Sequence, residues 1–405
     1  MRYFFVLSLA FLASVAAAQS VSDVVRQRLI AQGNVEYANN SLTLLPSARI
    51  KYEALFQSIR EARRYVHLEY FSVHNDSVGN ALLRLLREKA AEGVEVRLLI
   101  DDYGNRKTKR PWTKLHLDSL NAWGVRTVLF DPFRFPWINH AYHRDHRKIV
   151  VVDGVKAFTG GMNVADYYIL GTPRSGPWRD MHVCLEGPVV GAYERIFAHI
   201  WEKETAEKLD SLRYQGGGTS GGDKIVTVVN REPAGLSRRM REAYTASIDA
   251  ARHEIRIVNP YPTNVRMIRA ALKRAVKRGV RVMIMVSASS DVKLTPDVIA
   301  IEMKKQMGRG CEVYYFKGGF HHSKLMMVDG EFCTIGTANL DGRSMLYDYE
   351  VNAFVFDTEV TAQLNAIFDV DLQNSELLTR ENFKERFSLK QRVTGRVFQP
   401  LRSLF

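Results

Sequence analysis

The sequence predicts an α/β fold built twice: two similar units, each a mixed central sheet flanked by helices. Three observations predict it. A His-x-Lys pattern with a trailing Asp occurs twice, a helix-then-strand stretch occurs twice, and a glycine-rich segment lies between the copies. A repeat of this length is a duplicated domain, not a solenoid.

The elements follow in order. Arg2, the apolar run Tyr3 to Val15 and Ala16-Ala17-Ala18 make a positive start, an apolar middle and a small-residue cleavage site, so residues 1–18 are expected to be a cleaved export signal. The run is short for the roughly 20 residues that span a bilayer. No second stretch is long enough to span, so the mature protein is expected to be soluble or membrane-peripheral, in the periplasm or at an outer surface. Residues 19–212 form the first unit. In it Glu53 to Arg63 reads as a helix that parallels Glu242 to Arg252 in the second unit. Ala81 to Gly93 and Met267 to Gly279 read as amphipathic helices capped by glycine, leading into the apolar strands Val94 to Ile100 and Val280 to Val286. Residues 213–225 are the linker, with Gln215 to Gly222 its most flexible stretch. The second unit spans 226–379. A basic tail, 380–405, interleaves Phe383, Phe387, Leu389, Val393, Val397, Phe398, Leu401 and Phe405 with Lys and Arg, as an interfacial anchor or a helix packed on the second unit would.

The chemistry sits in the repeated motif. His146, Lys148 and Asp153 match His322, Lys324 and Asp329, and the copies also share Gly160/Gly336 and Asn163/Asn339. Charge grows on a phosphodiester's equatorial oxygens as it is attacked, so a site for that reaction needs fixed cations and amide donors. Lys148, Lys324, Asn163 and Asn339 are the candidates to bind phosphate. One neutral imidazole can attack phosphorus while the other, protonated, donates to the leaving oxygen. Lys148 to Val152 and Leu325 to Val328 read as buried strands ending at Asp-Gly turns. Alternation along a strand puts each His and its Lys on one face, with Asp153 and Asp329 at the opposite parity. Those aspartates belong to the catalytic motif but suit capping of the turn. Asp180 and Glu350, each just before the next apolar segment, are the candidates to orient the histidines. A metal site built on His140, His143 and His146 is disfavoured by the nearby lysines and by the lack of grouped acidic or Cys partners, so neither metal nor cofactor is expected.

These segments, with Gly160-Gly161-Met162-Asn163, Trp178-Arg179-Asp180 and Asn339 to Ser344, resemble the two HKD motifs of the phospholipase D superfamily, and bacterial cardiolipin synthases in particular. The resemblance covers nearly the whole mature chain. It implies duplicated phospholipase D-type domains related by a pseudo-twofold, one active site at their interface, and a covalent phosphohistidine formed without metal. It implies His146 as nucleophile and His322 as acid. Thr337 and Asp348 stand where that subgroup commonly has serine and asparagine. The implied activity is phosphatidyl transfer between phosphatidylglycerol molecules; a secreted phospholipase D hydrolase and a nuclease of the same superfamily are the alternatives.

The chain carries a net charge of +13, and +12 once Arg2 leaves with residues 1–18, so its partners are expected to be polyanions. Anionic phospholipid surfaces and nucleic acid both qualify. Cys184, Cys311 and Cys333 make no disulfide framework. Cys184 and Cys333 lie in apolar strand contexts that suit small core residues.

Overall fold

The computed structural model describes residues 19–404 apart from 134–135, 137–141, 210–213, 215–220, 264 and 293. The expected export signal, His140 and the core of the glycine-rich linker therefore lie outside the described residues.

The first half supplies β1 (Glu36–Leu45), β2 (Tyr65–Tyr70), β3 (Glu95–Asp101), β4 (Val125–Phe130), β5 (Lys148–Val152), β6 (Lys156–Gly160), β7 (Trp178–Arg179) and β8 (His182–Glu186). The second supplies β9 (Lys224–Arg231), β10 (Glu254–Val258), β11 (Arg281–Ser287), β12 (Glu312–Phe316), β13 (Phe320–His321), β14 (Leu325–Val328), β15 (Phe332–Gly336), β16 (Glu350–Phe356) and β17 (Ser375–Leu377). All but β7 and β13 join one 15-stranded sheet. From the middle outward its first half reads β1, β8, β6, β5, β2, β3, β4, and its second half reads β9, β16, β15, β14, β10, β11, β12, with β17 added at the edge. Each strand of one half thus has a counterpart in the other, and β1 meets β9 antiparallel at the centre. That is the arrangement a twofold axis through the sheet would produce.

Local sequence accounts for the central strands. β5 is Lys-Ile-Val-Val-Val and is buried throughout, as β-branched side chains between two layers of helix should be. Its hairpin to β6 turns on Asp153 and Gly154, at φ of 54° and 70°, with Val155 N donating to Val152 O. The hairpin from β14 to β15 turns the same way on Asp329 and Gly330, at 52° and 71°. Both are the left-handed pairs that a tight hairpin between twisted strands demands.

Helices cover both faces. Val190–Thr205 and Thr358–Gln373 lie on one side over a core continuous across the halves, where Ile149 and Val151 share a cluster with Leu325, Val351 and Phe368. On the other side Ala48–Glu61 and Ser77–Ala91 cover the first half. Arg239–Ala250, Arg266–Lys277 and Thr295–Met307 cover the second. The helix Val21–Ala31 precedes the first unit in sequence, yet it buries Val21, Val25 and Leu29 in the core of the second half. Gly93 and Gly279, both at φ 88°, sit one residue past their helix caps, the left-handed position that ends a helix. All three cysteines are buried free thiols. Among the described residues no helix is long and apolar enough to cross a membrane.

Candidate active site

The two histidines reach one cavity by the same route. Just before β5, Asp145 bridges in parallel to Tyr349, and His146 N donates to Tyr349 O at 3.1 Å. Just before β14, β13 pairs in parallel with β7, and His322 N donates to Arg179 O at 2.7 Å. Each bridge joins one half to the other. The residue after Tyr349 is Glu350 and the residue after Arg179 is Asp180, so every bridge delivers a histidine from one half beside a carboxylate from the other. His146 Nδ1 lies 2.9 Å from Glu350 Oε1, and His322 Nδ1 lies 2.7 Å from Asp180 Oδ2. A carboxylate accepting from Nδ1 fixes the tautomer and leaves Nε2 for chemistry.

The bridges are themselves braced. Arg179 Nε and His321 Nε2 both reach the Asp371 carboxylate, at 2.6 and 3.1 Å. On the opposite side Arg144 N donates to Asp348 Oδ1, and the fully buried Arg144 guanidinium holds Asp101 at 2.9 Å. Arg147, between His146 and Lys148, points to the other face of the sheet, where its Nε meets Glu69 Oε1 at 2.6 Å.

The cavity between the halves holds about 590 Å³. His146, His322, Asn163 and Asn339 line it, with Ser72, Tyr168, Tyr261, Asp291, Asp341, Arg343 and Ser344 around them. Asn163 and Asn339, expected from the sequence to bind phosphate, both present side chains here. Asn163 Oδ1 accepts from Ser72 N at 3.2 Å. Its carbonyl accepts from Lys51 Nζ at 3.3 Å and Tyr52 Oη at 3.0 Å, so a helix of the first half holds its loop. Lys148 and Lys324 lie behind the histidines. Lys148 Nζ donates to His146 O at 2.6 Å. Lys324 Nζ donates to His322 O and rests 3.0 Å from each nitrogen of the His322 ring.

Burial and like charge tune these groups. His146 is pushed well below the usual histidine range, by burial first and then by Lys148 and Lys324. Burial and Lys324 lower His322 too, but the Asp180 charge and its hydrogen bond oppose them. Burial would raise Asp180, yet His322 and Lys324 outweigh it and hold the carboxyl below its ordinary value. Glu350 goes the other way: burial lifts it to about 7, although Lys148, Ser344 and Thr337 all stabilise its charge. Burial brings Lys148 down to about 7 and Lys324 to about 8. Both histidines are thus lowered from their ordinary value, and at His322 the Asp180 carboxylate opposes the shift.

Asp153 and Asp329 require a correction. The motif reading placed them in the catalytic set, but they stand at the far ends of β5 and β14 from the histidines. Asp153 accepts backbone hydrogen bonds from Arg63, Arg64 and Tyr65 at 2.8 to 2.9 Å. Asp329 does the same for Arg252, His253 and Glu254 at 2.7 to 2.8 Å. Each aspartate stands five positions along the strand from its lysine, roughly 16 Å at the usual rise. They pin the turn leading into β2 and β10, so the strand parity that set them apart has a structural cause.

Several site residues carried no local signal. Tyr168, Tyr261, Phe320 and Trp178 surround the His322 ring at centroid distances of 5.3 to 6.3 Å. Phe71 meets His146 at 5.1 Å. They come from separate short elements and loops, and only Trp178 falls within a recognisable segment. Thr337 and Ser344, by contrast, donate to Glu350, which gives the threonine at the unusual position a definite role.

Comparison with known proteins follows the same lines. Residues 55–201 and 244–372 match the family described as cardiolipin synthase, PLD-like domain. The chain is 35% identical over 349 residues to the probable cardiolipin synthase YwiE of Bacillus subtilis, covering 86% of this chain and 69% of that one. It is 32% identical over 368 residues to cardiolipin synthase 1 of Staphylococcus epidermidis, covering 90% and 74%. Among solved structures, the phosphatidylserine synthase of Haemophilus influenzae superimposes with a TM-score of 0.67 over 95% of this chain and 98% of that one, at 14% identity.

Proposed function

The chain belongs to the cardiolipin synthase family of phospholipase D-like domains, and on that premise we propose that it joins two phosphatidylglycerol molecules into cardiolipin and glycerol through a phosphohistidine. The observation that carries the mechanism is the crossed pairing of His146 with Glu350 and His322 with Asp180 at one cavity.

In the first half-reaction His146 Nε2 attacks the phosphorus of one phosphatidylglycerol. The P–O bond to the glycerol head group breaks, and His322 Nε2–H gives its proton to the departing oxygen. Glycerol leaves, and the phosphatidyl group stays on His146. In the second, a head-group hydroxyl of another phosphatidylglycerol gives its proton to His322 Nε2 while its oxygen attacks phosphorus. The P–N bond breaks, cardiolipin forms, and both histidines return to their starting states. Asn163, Asn339 and the positive field of Lys148 and Lys324 stabilise the charge on the phosphoryl oxygens as it grows. The asymmetry supports these roles: an ionised Asp180 favours the protonated acid, and burial beside two lysines favours a neutral nucleophile.

Residues 1–18 read as an export signal, which would place the enzyme on the outer side of the cytoplasmic membrane. Mass spectrometry of the purified protein should find Gln19 at its start. The activity is tested by incubating the enzyme with phosphatidylglycerol in chelator. Cardiolipin plus glycerol is the expected product. Phosphatidic acid alone would make it a hydrolase, and cleavage of single-stranded DNA without lipid turnover would make it a nuclease. Loss of activity in chelator, restored by zinc, would refute the metal-free route.

A further inference from the structure

The C-terminal tail packs in an unusual sense. Its helix, Leu389–Phe398, rests on Thr295–Met307 through Gly395, whose backbone lies so close to Asp297 O that a Cβ there would overlap it. Gly395 is the helix's one buried residue. The large apolar side chains face the other way: Leu389, Val393 and Val397 are 70%, 49% and 65% exposed, and Leu401 continues the line beyond the helix. At about 100° per residue, these three helical residues span an arc of about 80°, and Gly395 lies about 200° from its centre. The same wheel sets Lys390 on one flank of the arc and Arg392 and Arg396 on the other, with Lys390 and Arg396 exposed. A surface helix normally turns such a stripe inward.

The stripe also has a telling position. Asp297, beneath Gly395, is two residues from Thr295, which lines the catalytic cavity. The exposed Val292 stands in the cavity wall, the exposed Leu294 directly precedes the lining residue Thr295, and the exposed Leu170 lies two residues from another lining residue, Thr172.

We propose that the outward face of this tail helix docks the enzyme on an anionic phospholipid bilayer, with the apolar stripe among the acyl chains and Lys390, Arg392 and Arg396 at the head-group phosphates. The occupant follows from charge complementarity and place. Apolar residues flanked by cations match an anionic interface, and they border a cavity that, on the functional reading above, must receive phosphatidylglycerol from that interface.

The test is flotation of the full chain with vesicles of phosphatidylglycerol and phosphatidylcholine, and with phosphatidylcholine alone. The wild type should float with the anionic vesicles, less so as salt rises. The triple variant Leu389→Ser, Val393→Ser, Val397→Ser should lose binding by about tenfold or more, as should Lys390→Glu with Arg396→Glu. The serine changes leave the packed Gly395 face untouched, so the melting temperature of that variant should stay at the wild-type value; Lys390 stabilises the Asp297 charge beneath Gly395, so the glutamate variant should melt slightly lower. Turnover of dispersed short-chain phosphatidylglycerol should also be unchanged, while turnover of vesicle phosphatidylglycerol falls. Wild-type flotation by both variants would overturn the proposal. So would a wild-type dimer in light scattering that the serine variant dissolves while still floating, since the stripe would then cover a second copy. Stripe-dependent flotation without any lipid turnover would uphold docking and refute the synthase reading.

Discussion

Removing the Asp153 carboxylate should unfold the protein more readily without disabling the chemistry. Its oxygens accept from three consecutive backbone N–H groups, from Arg63 to Tyr65. Hydrogen bonds to a charged acceptor contribute about 1.5–3 kcal/mol each when buried, and partial exposure here brings the three together to about 3 kcal/mol. The φ of 54° adds a penalty of about 1 kcal/mol for alanine, whereas asparagine tolerates that backbone and keeps one acceptor oxygen. Asp153→Asn should therefore cost about 2 kcal/mol and Asp153→Ala about 4, or roughly 4–8 °C and 8–16 °C in melting temperature for a unit of this size. The assay pairs a thermal melt with kcat measured well below the transition. For both variants kcat per folded molecule should stay within about threefold of wild type, since neither touches a group that transfers a proton. A fall of about a hundredfold in kcat for Asp153→Asn with an unchanged melt would refute the assignment and return Asp153 to the catalytic set.

Three further outcomes follow from the same geometry. Asp180→Asn removes the negative charge that raises the His322 pKa, so the basic limb of the kcat/KM profile, where the acid loses its proton, should move to lower pH; an unmoved limb with full activity would contradict the pairing. Gly161→Ala should depress kcat by about tenfold or more, because its Cβ would overlap the Asp180 carboxylate and displace the partner of His322; wild-type kcat would show that this carboxylate need not be held in place. Asp371→Asn loosens the clasp of Arg179 and His321 behind the same pair. As a positioning residue it should lower kcat with little change in KM, and an altered KM alone would assign it to substrate binding.

What the sequence made legible was local. The spacing of His146 and Lys148, and of His322 and Lys324, survives translation into structure because alternation along a strand is a local rule. The same rule separated Asp153 and Asp329 from the histidines and pointed to Asp180 and Glu350. It could not say that the carboxylates cross over, each serving the histidine of the other half. That depends on two short parallel bridges, one of them the two-residue pairing of β7 with β13, far too brief to leave a periodic signal. Tyr261 and Asp291 reach the cavity from loops and Tyr168 from the four-residue helix Tyr167–Leu170, where neither period nor spacing marks a functional side chain. The docking of Val21–Ala31 on the second half is likewise a matter of topology, since its apolar face suits either core. The tail illustrates the limit best. Its composition fits a packed helix and an interfacial one, and only the fold shows Gly395 packed inward with Leu389 exposed on the opposite side.

In the proposed mechanism His146 carries the phosphatidyl group and His322 serves as its acid. Rapid acid-free quenching of the wild-type enzyme with phosphorus-labelled phosphatidylglycerol, followed by peptide mass spectrometry, reads this directly. The expected result is an acid-labile, base-stable label on the peptide containing His146, absent from His146→Ala. A label on His322, or full turnover with no labelled histidine on either motif, would contradict it.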